Sequence, residues 1–188
     1  MRFSFRKIDP LLIIIPLAGF LVLAFFLYSR LGTEELRLEF KGEPVLTARY
    51  SGRHGFAGVA EERGAEGRTF VRAEVQRYLA WLCWDTAASR LVSFRVYDGA
   101  NLQDYLWRHR VSDSYETRTL NGSEFIAFQR TYSPAPNSSI EQYLIAFREP
   151  STLIEIVYPI RTPYCLSQAD LRDAQFIIAT LKLEGRYR

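Results

Sequence analysis

The chain has 188 residues and a formal net charge of +3, with 24 Lys and Arg against 21 Asp and Glu. This length favours one domain, and outside a short basic N-terminal tail no concentrated basic face is evident, which argues against a nucleic-acid-binding protein. Two cysteines and two distant histidines do not form a metal-binding motif. We therefore predict no nucleic-acid partner, no metal and no other cofactor.

The N-terminal segment differs in composition from the rest of the chain. Residues 1–10 form a basic tail, and residues 11–28 carry no charged side chain. A helix of about 18 residues spans about 27 Å, close to the thickness of the bilayer hydrocarbon. We predict one transmembrane anchor over residues 11–29 that contacts the membrane through residues 11–28.

The basic residues around this run predict its orientation. Three of them precede the run, whereas Arg30 is the one that follows it directly. The positive-inside bias therefore favours a cytoplasmic tail at residues 1–10 and an extracytoplasmic domain at residues 30–188. A cleaved signal peptide is the alternative, but the run is long for one and no small-x-small cleavage site follows it. We expect a single-pass inner (plasma) membrane protein of a bacterium, with a periplasmic or extracellular domain.

The elements between the anchor and residue 90 are weakly marked. Residues 34–40 alternate apolar and charged side chains, which fits a first strand or a continuation of the anchor helix, and residues 44–50 predict a strand. Residues 51–67 contain five glycines and predict a long mobile loop. Residues 68–84 fit either a strand or a helix.

The pattern is clearer from residue 91 onward. Alternation over residues 91–98 predicts a strand with Val92, Phe94 and Val96 on one face. Residues 101–110 predict a helix that begins at the N-cap Asn101. Its apolar face, by helical spacing, carries Leu102, Tyr105, Leu106 and His109.

The last third predicts an antiparallel meander followed by a helix. Asn121-Gly122 is typical of a type I′ turn between two strands, and two further strands follow. Their apolar residues on both faces indicate a sheet that is covered on both sides. Ser167 and Asp170 match a capping box, and the helix that they begin has an apolar stripe at Leu171, Ala174, Ile177, Ile178 and Leu181. The fold class is therefore α+β, a mostly antiparallel sheet flanked by helices, preceded by one N-terminal transmembrane helix.

This order of elements resembles the PsbP-like superfamily over about residues 91–183. The resemblance is carried by a strand leading into NLQDYLWRH, the LNGSEFIAF hairpin, two long strands and the final QADLRDAQFIIATLKL segment. It implies an α/β/α sandwich. Since several members are accessory or assembly subunits of membrane complexes, it also implies a non-catalytic binding or scaffolding role, and it carries over no site residues.

Two pairs of side chains invite a specific interpretation. Cys83 and Cys165 form a possible disulfide, because an extracytoplasmic domain lies in an oxidising compartment, with two buried thiols as the alternative. Trp81 and Trp84 either pack in the core or face a partner, since exposed aromatic side chains favour protein contacts. The candidate partner-facing residues are Trp81, Trp84, Trp107 and Arg108.

Three residues near the predicted helix at 101–110 could be mistaken for a catalytic group. Asp98 precedes a glycine, so we expect it to end a strand. Asp104 lies in the first turn of the helix, where the helix dipole favours a carboxylate. We expect His109 to pack on the apolar face, although a general base is its alternative role.

We expect a membrane-anchored extracytoplasmic binding or scaffolding domain, a non-catalytic accessory subunit of an integral membrane protein complex. A tether favours a membrane partner because it raises the effective concentration of the domain near the bilayer. The alternatives are a small-ligand or lipid-binding domain and, with less support, a hydrolase dependent on His109.

Overall fold

The computed structural model of the protein describes residues 11–63, 69–77, 90–111, 115–132, 139–148, 151–161 and 166–185. The chain divides into two compact units, Met1–Gly32 and Thr33–Arg188. The first contains helix α1 (Leu11–Leu31), whose described side chains lie between Ile14 and Ala24. Within the described side chains, no helix combines the length and the apolar character needed to cross a membrane. The anchor over residues 11–29 stays a prediction.

The second unit is an α+β domain with two antiparallel sheets in its described residues. The smaller sheet has three strands in the order β1-β2-β10, with bounds β1 (Thr33–Phe40), β2 (Glu43–Ser51) and β10 (Lys182–Leu183). The larger sheet has seven strands, β3 (His54–Arg63), β4 (Thr69–Arg77), β5 (Arg90–Tyr97), β6 (Glu116–Leu120), β7 (Ser123–Tyr132), β8 (Ser139–Arg148) and β9 (Thr152–Arg161).

The strand order in the larger sheet is β3-β4-β5-β9-β8-β7-β6, and every neighbouring pair is antiparallel. Helix α2 (Leu102–Arg108) follows β5, and helix α3 (Gln168–Thr180) follows β9. The predicted class, a mostly antiparallel sheet with helices, is confirmed.

Two tight turns set the register of two hairpins. Asn121 and Gly122 have φ of 49° and 81°, as a type I′ turn requires, and they place Leu120 opposite Ser123. This confirms the predicted turn. Lys41 and Gly42 have the same left-handed backbone, with φ of 53° and 80°. Residues 34–40 are therefore the first strand of a hairpin and not a continuation of the anchor helix.

The predicted mobile loop over residues 51–67 is wrong where the structure describes it. Residues 54–63 form β3, which pairs with β4 through a bulge between Ala57 and Ala60. β3 is an edge strand, and glycines such as Gly58 are tolerated at a bulge. Residues 69–77, which fitted either a strand or a helix, form strand β4.

Both predicted helix starts are confirmed. The Asn101 side chain accepts hydrogen bonds from the amides of Gln103 (2.8 Å) and Asp104 (3.2 Å). Ser167 and Asp170 form a reciprocal capping box, in which the Ser167 amide donates to Asp170 Oδ2 at 2.7 Å. Such caps supply partners for first-turn amides that have none within the helix.

The seven-stranded sheet has two different faces. The first, here called the α3 face, packs against α3 and the smaller sheet and carries apolar side chains at Val92, Phe94, Val96, Ile154 and Ile156. The second, the α2 face, alternates with it and carries Ser93, Arg95, Tyr97, Leu153 and Glu155. Helix α2 packs on this second face through Tyr105 and Leu106. The predicted apolar stripe of α3 is buried at all five positions.

Candidate functional site

A fully buried carboxylate lies at the centre of the α2 face. Glu155 is 0% exposed and lies opposite Arg95 in the pairing of β9 with β5. Arg95 Nη1 donates to Glu155 Oε1 at 2.6 Å, and the Tyr105 hydroxyl, from α2, donates to Glu155 Oε2. A buried charge is tolerated when it is paired and hydrogen-bonded. These two contacts therefore allow the Glu155 carboxylate to be fully buried.

The turn after β5 brings α2 onto this carboxylate. Gly99 has a φ of 62°, which a residue with a side chain adopts rarely, and it reverses the chain after Asp98. The Ala100 amide then donates to the Ser151 carbonyl at 2.9 Å, which fixes the start of α2 beside β9. The sequence VYDGANLQDYLWRHR thus folds so that Tyr105 lies over Glu155.

His109 extends the cluster at the C-terminal end of α2. Its ring stacks on Tyr105, with centroids 4.1 Å apart and planes inclined by 23°, and lies 6.4 Å from the Tyr143 ring. Arg130 Nη2 donates to the His109 carbonyl oxygen at 2.6 Å. The Nδ1 atom of His109 is buried and has no hydrogen-bond partner among the residues that the structure describes. The imidazole is therefore held by stacking and not by a hydrogen bond at Nδ1.

Burial favours the uncharged forms of these groups. It lowers the pKa of His109 below 6.5; Glu155 opposes this shift, and Arg130, Arg95 and Arg108 add to it. Burial also raises the pKa of Tyr97 to about 12 and that of Tyr143 to about 12. The pKa of Tyr105 is raised well above 10.0 by burial and by the neighbouring Glu155. The site is a neutral aromatic layer around one carboxylate–guanidinium pair.

Among the described residues, no carboxylate or carbonyl holds Nδ1 of His109. A histidine base needs one ring nitrogen held by a carboxylate or carbonyl and a nucleophile near the other. Both carboxylate oxygens of Glu155 are engaged by Arg95 and Tyr105, and His109 Nδ1 has no partner. His109 is half-buried on the packed face of α2, where the sequence places it.

The two aspartates of the same segment have structural contacts. Lys41 Nζ donates to Asp98 Oδ2 at 2.5 Å, which links the β1–β2 turn to the end of β5. Asp104 lies in the first turn of α2, and its amide donates to Asn101. Both roles follow the sequence-based expectation.

A second charged group continues the α2 face across β4 and β5. Glu74 Oε1 accepts from Arg72 Nε at 2.8 Å and lies 3.2 Å from Arg90 Nε. Ser93 lies opposite Glu74 and is 4% exposed, and its hydroxyl has no hydrogen-bond partner in the described part of the chain. Polar side chains therefore extend over three neighbouring strands on this side of the sheet.

One group of described residues has the composition of a cation site. His54, Asp170 and Asp173 offer ligand atoms that lie within 4.8 Å of one another. His54 Nε2 is 2.5 Å from Asp173 Oδ2, and Arg53 Nη2 is 2.5 Å from the same oxygen. A guanidinium on this oxygen competes with a metal ion, and Asp170 is engaged in the capping box. These contacts do not require a metal ion; they join the start of β3 to the first turns of α3.

Two of the four predicted partner-facing residues lie within the described part of the chain. Trp107 is 81% exposed, on the side of α2 opposite to Tyr105, and Arg108 beside it is also exposed. Trp81 and Trp84 lie outside the described residues. So do both members of the possible disulfide, Cys83 and Cys165.

Comparisons with known proteins do not assign a family. No family model and no curated protein matches the sequence. Among solved structures, the chain is similar to a protein from Bacteroides thetaiotaomicron VPI-5482, with a TM-score of 0.42 and 12% sequence identity. The similarity covers 74% of this chain and 45% of that chain. Such a likeness identifies neither the family nor the function.

Proposed function

We propose that the chain is a membrane-anchored binding or scaffolding domain, a non-catalytic accessory subunit of an integral membrane protein complex. The observation that carries this proposal is the exposure of Trp107. Helix α2 buries Tyr105 and Leu106 against the sheet but leaves Trp107 81% exposed. Tryptophan is enriched at the centres of protein interfaces, where an indole buries a large area and its N–H finds an acceptor.

The residues around Trp107 define the proposed contact. The α2 surface, as we call it, consists of Gln103, Asp104, Trp107 and Arg108, all of them exposed. Its partner would present an apolar cavity of indole size, rimmed by polar groups that match one acidic and one basic side chain. Such a pattern of an aromatic centre and a charged rim is common at protein interfaces.

The anchor is the second part of the proposal. The charge-free run at residues 11–28 supports a single transmembrane helix, with residues 1–10 in the cytoplasm and the domain in the periplasm or outside the cell. A tether raises the effective concentration of the domain for membrane partners by confining it near the bilayer. A modest contact around Trp107 would then be sufficient for stable association.

The proposed fold family is supported by the helices that pack on both faces of the larger sheet. α2 packs on one face, and α3 packs on the other, which supports an α/β/α sandwich of the PsbP-like type. β10, directly after α3, pairs with β2 and corresponds to the short strand-like segment that carries the resemblance. Several members of that superfamily are accessory or assembly subunits of membrane complexes, which agrees with the proposed binding role.

Photocrosslinking in the native membrane tests the proposal. A photoreactive amino acid replaces Trp107 in the full-length chain, and a matched variant carries it at Phe176, which is 38% exposed on α3. We expect one membrane-protein adduct from position 107 and none from position 176. In detergent pull-downs, Trp107→Ala should reduce recovery of the same partner at least tenfold, whereas Phe176→Ala should not. Equal crosslinking at both positions, or no adduct from position 107, would contradict the proposal.

A small-ligand or lipid-binding domain is the alternative function. It is supported by two buried atoms on the α2 face, Ser93 Oγ and His109 Nδ1, for which the described residues supply no hydrogen-bond partner. Buried polar atoms usually find partners in protein, water or ligand. Native mass spectrometry of the purified chain would reveal a bound small molecule, and its loss in Ser93→Ala would favour this alternative.

A further inference from the structure

The turn between β6 and β7 contacts the C-terminal end of helix α3. Asn121 Nδ2 donates to the Ala179 carbonyl oxygen at 3.0 Å and to the Leu181 carbonyl oxygen at 2.6 Å. The last carbonyls of a helix have no partner within it, and the last turn of α3 carries no basic side chain that could serve them. The Asn121 side chain therefore caps α3 from a position 58 residues earlier in the chain.

A second contact fixes the same end of α3 from the other sheet. The Thr180 hydroxyl exchanges hydrogen bonds with the backbone of Arg49 in β2, at 2.9 Å with the amide and 3.2 Å with the carbonyl oxygen. Directly after Thr180 the chain continues into β10, which pairs with β2. The end of α3 is thus held by β2 and by the Asn121 cap, as we call the Asn121 side chain with its two carbonyl acceptors.

Asn121 is also the asparagine of this chain that is most open to deamidation. Of Asn101, Asn121 and Asn137, it alone precedes a glycine. Deamidation begins when the backbone nitrogen of the next residue attacks the side-chain amide carbon, and a glycine at that position does not hinder the approach. Gly122 is exposed, so water reaches this turn.

The reaction is a ring closure followed by hydrolysis. The Gly122 nitrogen forms a bond to Asn121 Cγ, the Cγ–Nδ2 bond breaks, and the amide nitrogen leaves as ammonia with the proton of the Gly122 amide. Water then opens the resulting succinimide at either carbonyl and yields aspartate or isoaspartate. The net change is the loss of one ammonia and the gain of one water, and this chemistry makes asparagine thermolabile.

We propose that Asn121 is a deamidation site that the Asn121 cap protects in the folded domain, and that its deamidation irreversibly releases the end of α3. While Nδ2 donates to both carbonyl oxygens, the side chain cannot turn toward the Gly122 nitrogen without losing both hydrogen bonds. The reaction therefore proceeds from molecules in which the end of α3 has opened. This property belongs to the domain and does not depend on the proposed function.

Neither product can restore the cap. A carboxylate has no N–H to donate, and at this position it would face two carbonyl oxygens at a helix C-terminus, where the helix dipole disfavours negative charge. Isoaspartate also lengthens the main chain of a two-residue turn whose geometry sets Leu120 opposite Ser123. Both products therefore leave the end of α3 without its cap, and hydrolysis is not reversed once ammonia has left.

The rate of deamidation in the folded chain tests the protection. The full-length chain in nanodiscs is incubated beside the same chain unfolded in urea and detergent, at one pH and one temperature. Peptide mass spectrometry follows the fraction of Asn121 that is converted. We expect conversion in the folded chain to be at least tenfold slower. Equal rates in the two samples would overturn the proposal.

Two variants assign the protection to the end of α3. Thr180→Val removes the hydroxyl that binds Arg49 but leaves Asn121 and Gly122 unchanged, so conversion in the folded chain should rise at least threefold. Asn101→Ala is the matched control, because it removes a side-chain acceptor at the start of α2, and it should leave the rate unchanged. A rate that does not rise in Thr180→Val, or that rises equally in both variants, would contradict the proposal.

Should Thr180→Val fail to fold, urea at concentrations below the unfolding transition replaces it. The conversion rate of the parent chain should then rise in parallel with hydrogen exchange of the Leu181 amide, which donates to the Ile178 carbonyl at the end of α3. Exchange that increases while conversion stays constant would show that opening of α3 does not control the reaction.

Hydrogen exchange in two further variants tests the release itself. Asn121→Asp carries the side chain of one product, whereas Asn121→Gly removes the two donors without adding a charge and tolerates the φ of 49° at this position. The informative amides are those of Leu181 and Glu184, which donate to the Ile178 and Val45 carbonyls. We expect their protection to fall in Asn121→Gly and to fall further, at least tenfold, in Asn121→Asp, with α2 unchanged. Parent-like protection in Asn121→Asp would refute the release.

Discussion

The two faces of the seven-stranded sheet differ in the polarity of their side chains, although the same strands supply both faces. On the α3 face, Phe94 and Ile156 are 0% exposed among apolar neighbours. On the α2 face, the neighbouring positions Arg95 and Glu155 form an ion pair that is capped by Tyr105. One face stabilises the domain by burying apolar area. The other face contributes less net stability, because desolvation offsets much of the attraction within a buried ion pair.

This difference indicates which face makes the stability of the domain depend on pH. The α3 face is mostly apolar and does not titrate near neutral pH, although burial raises the pKa of Tyr158 on that face. The α2 face collects a carboxylate, three tyrosines with raised pKa and a histidine with a lowered one. We therefore expect mutations on the α3 face to change stability at every pH and mutations on the α2 face to change its pH dependence.

The largest effect is expected from Phe94→Ala on the α3 face. Removing a fully buried phenylalanine leaves a cavity and costs about 3–5 kcal/mol. Urea unfolding followed by circular dichroism measures this loss. Phe176→Ala, at a position 38% exposed, is the control and should cost far less. A loss below about 1 kcal/mol for Phe94→Ala would mean that the α3 face is not the main core.

Glu155→Ala is expected to rank next. It leaves Arg95 and the Tyr105 hydroxyl without their acceptor, which costs about 3 kcal/mol when a buried pair is broken. The value is at the low end of the usual range because the Arg95 side chain is 28% exposed. In a double-mutant cycle, Tyr105→Phe and Glu155→Ala should be non-additive. Strict additivity would show that the two side chains do not interact.

Alkaline pH should destabilise the domain through the α2 face. Tyr97 and Tyr143 have folded-state pKa values of about 12 against 10.0 for an exposed tyrosine. The unfolded chain loses these protons first, so the stability that they contribute is complete below pH 10 and is lost as the pH rises toward 12. The effect is up to about 2 kcal/mol for Tyr97 and smaller for Tyr143, because solvent screens the more exposed ring. Denaturant unfolding at several alkaline pH values measures it, and Tyr97→Phe should flatten the dependence.

The two helix caps allow a matched comparison. Asn101→Ala and Ser167→Ala each remove a side-chain acceptor from a helix start and should cost about 1 kcal/mol. Because α2 is short, we expect Asn101→Ala to lower exchange protection in α2 alone, whereas Ser167→Ala should also lower the global free energy of unfolding. Equal local effects in both helices would contradict the view that α2 unfolds independently.

The smallest effect is expected for the exposed ion pair. Asp98→Asn removes the charge that contacts Lys41, whose side chain is 64% exposed. Pairs of this kind contribute about 0–1 kcal/mol and are screened by salt. Thermal unfolding in low and high salt tests this expectation. A large loss of stability that does not depend on salt would show that this ion pair behaves like the buried pair of Glu155 with Arg95.

Local features of the fold were predictable from the sequence. Alternation predicted β5, and the residue pair Asn121-Gly122 predicted the β6–β7 turn with its register. The caps at Asn101 and Ser167 predicted both helix starts. Each of these signals depends on residues within one turn or one strand, so neighbours in the chain are sufficient.

Features of the structure that depend on tertiary contacts were not predicted from the sequence. The glycines of residues 51–67 predicted a loop, but pairing with β4 overrides that local preference and forms β3. The cluster at Glu155 joins side chains 50 and 60 residues apart, and His54 contacts Asp173 across 119 residues. No spacing rule links such positions, because the contact follows from strand register. The placement of Tyr105 and His109 on the packed face was predictable, but not the buried acid beneath them.

The pairing of β10 with β2 has a consequence for how the chain folds. Thr180 exchanges hydrogen bonds with the backbone of Arg49 across 131 residues, and Lys182 and Leu183 then extend the sheet of β2. A nascent polypeptide cannot make these contacts until the segment after α3 has left the ribosome. Until then, α3 and β10 do not contribute to the apolar cluster that buries Leu36, Leu38 and Leu46 of the β1–β2 hairpin in the finished domain. Contacts of such long range slow folding, and this hairpin is therefore among the last parts of the domain to complete its packing.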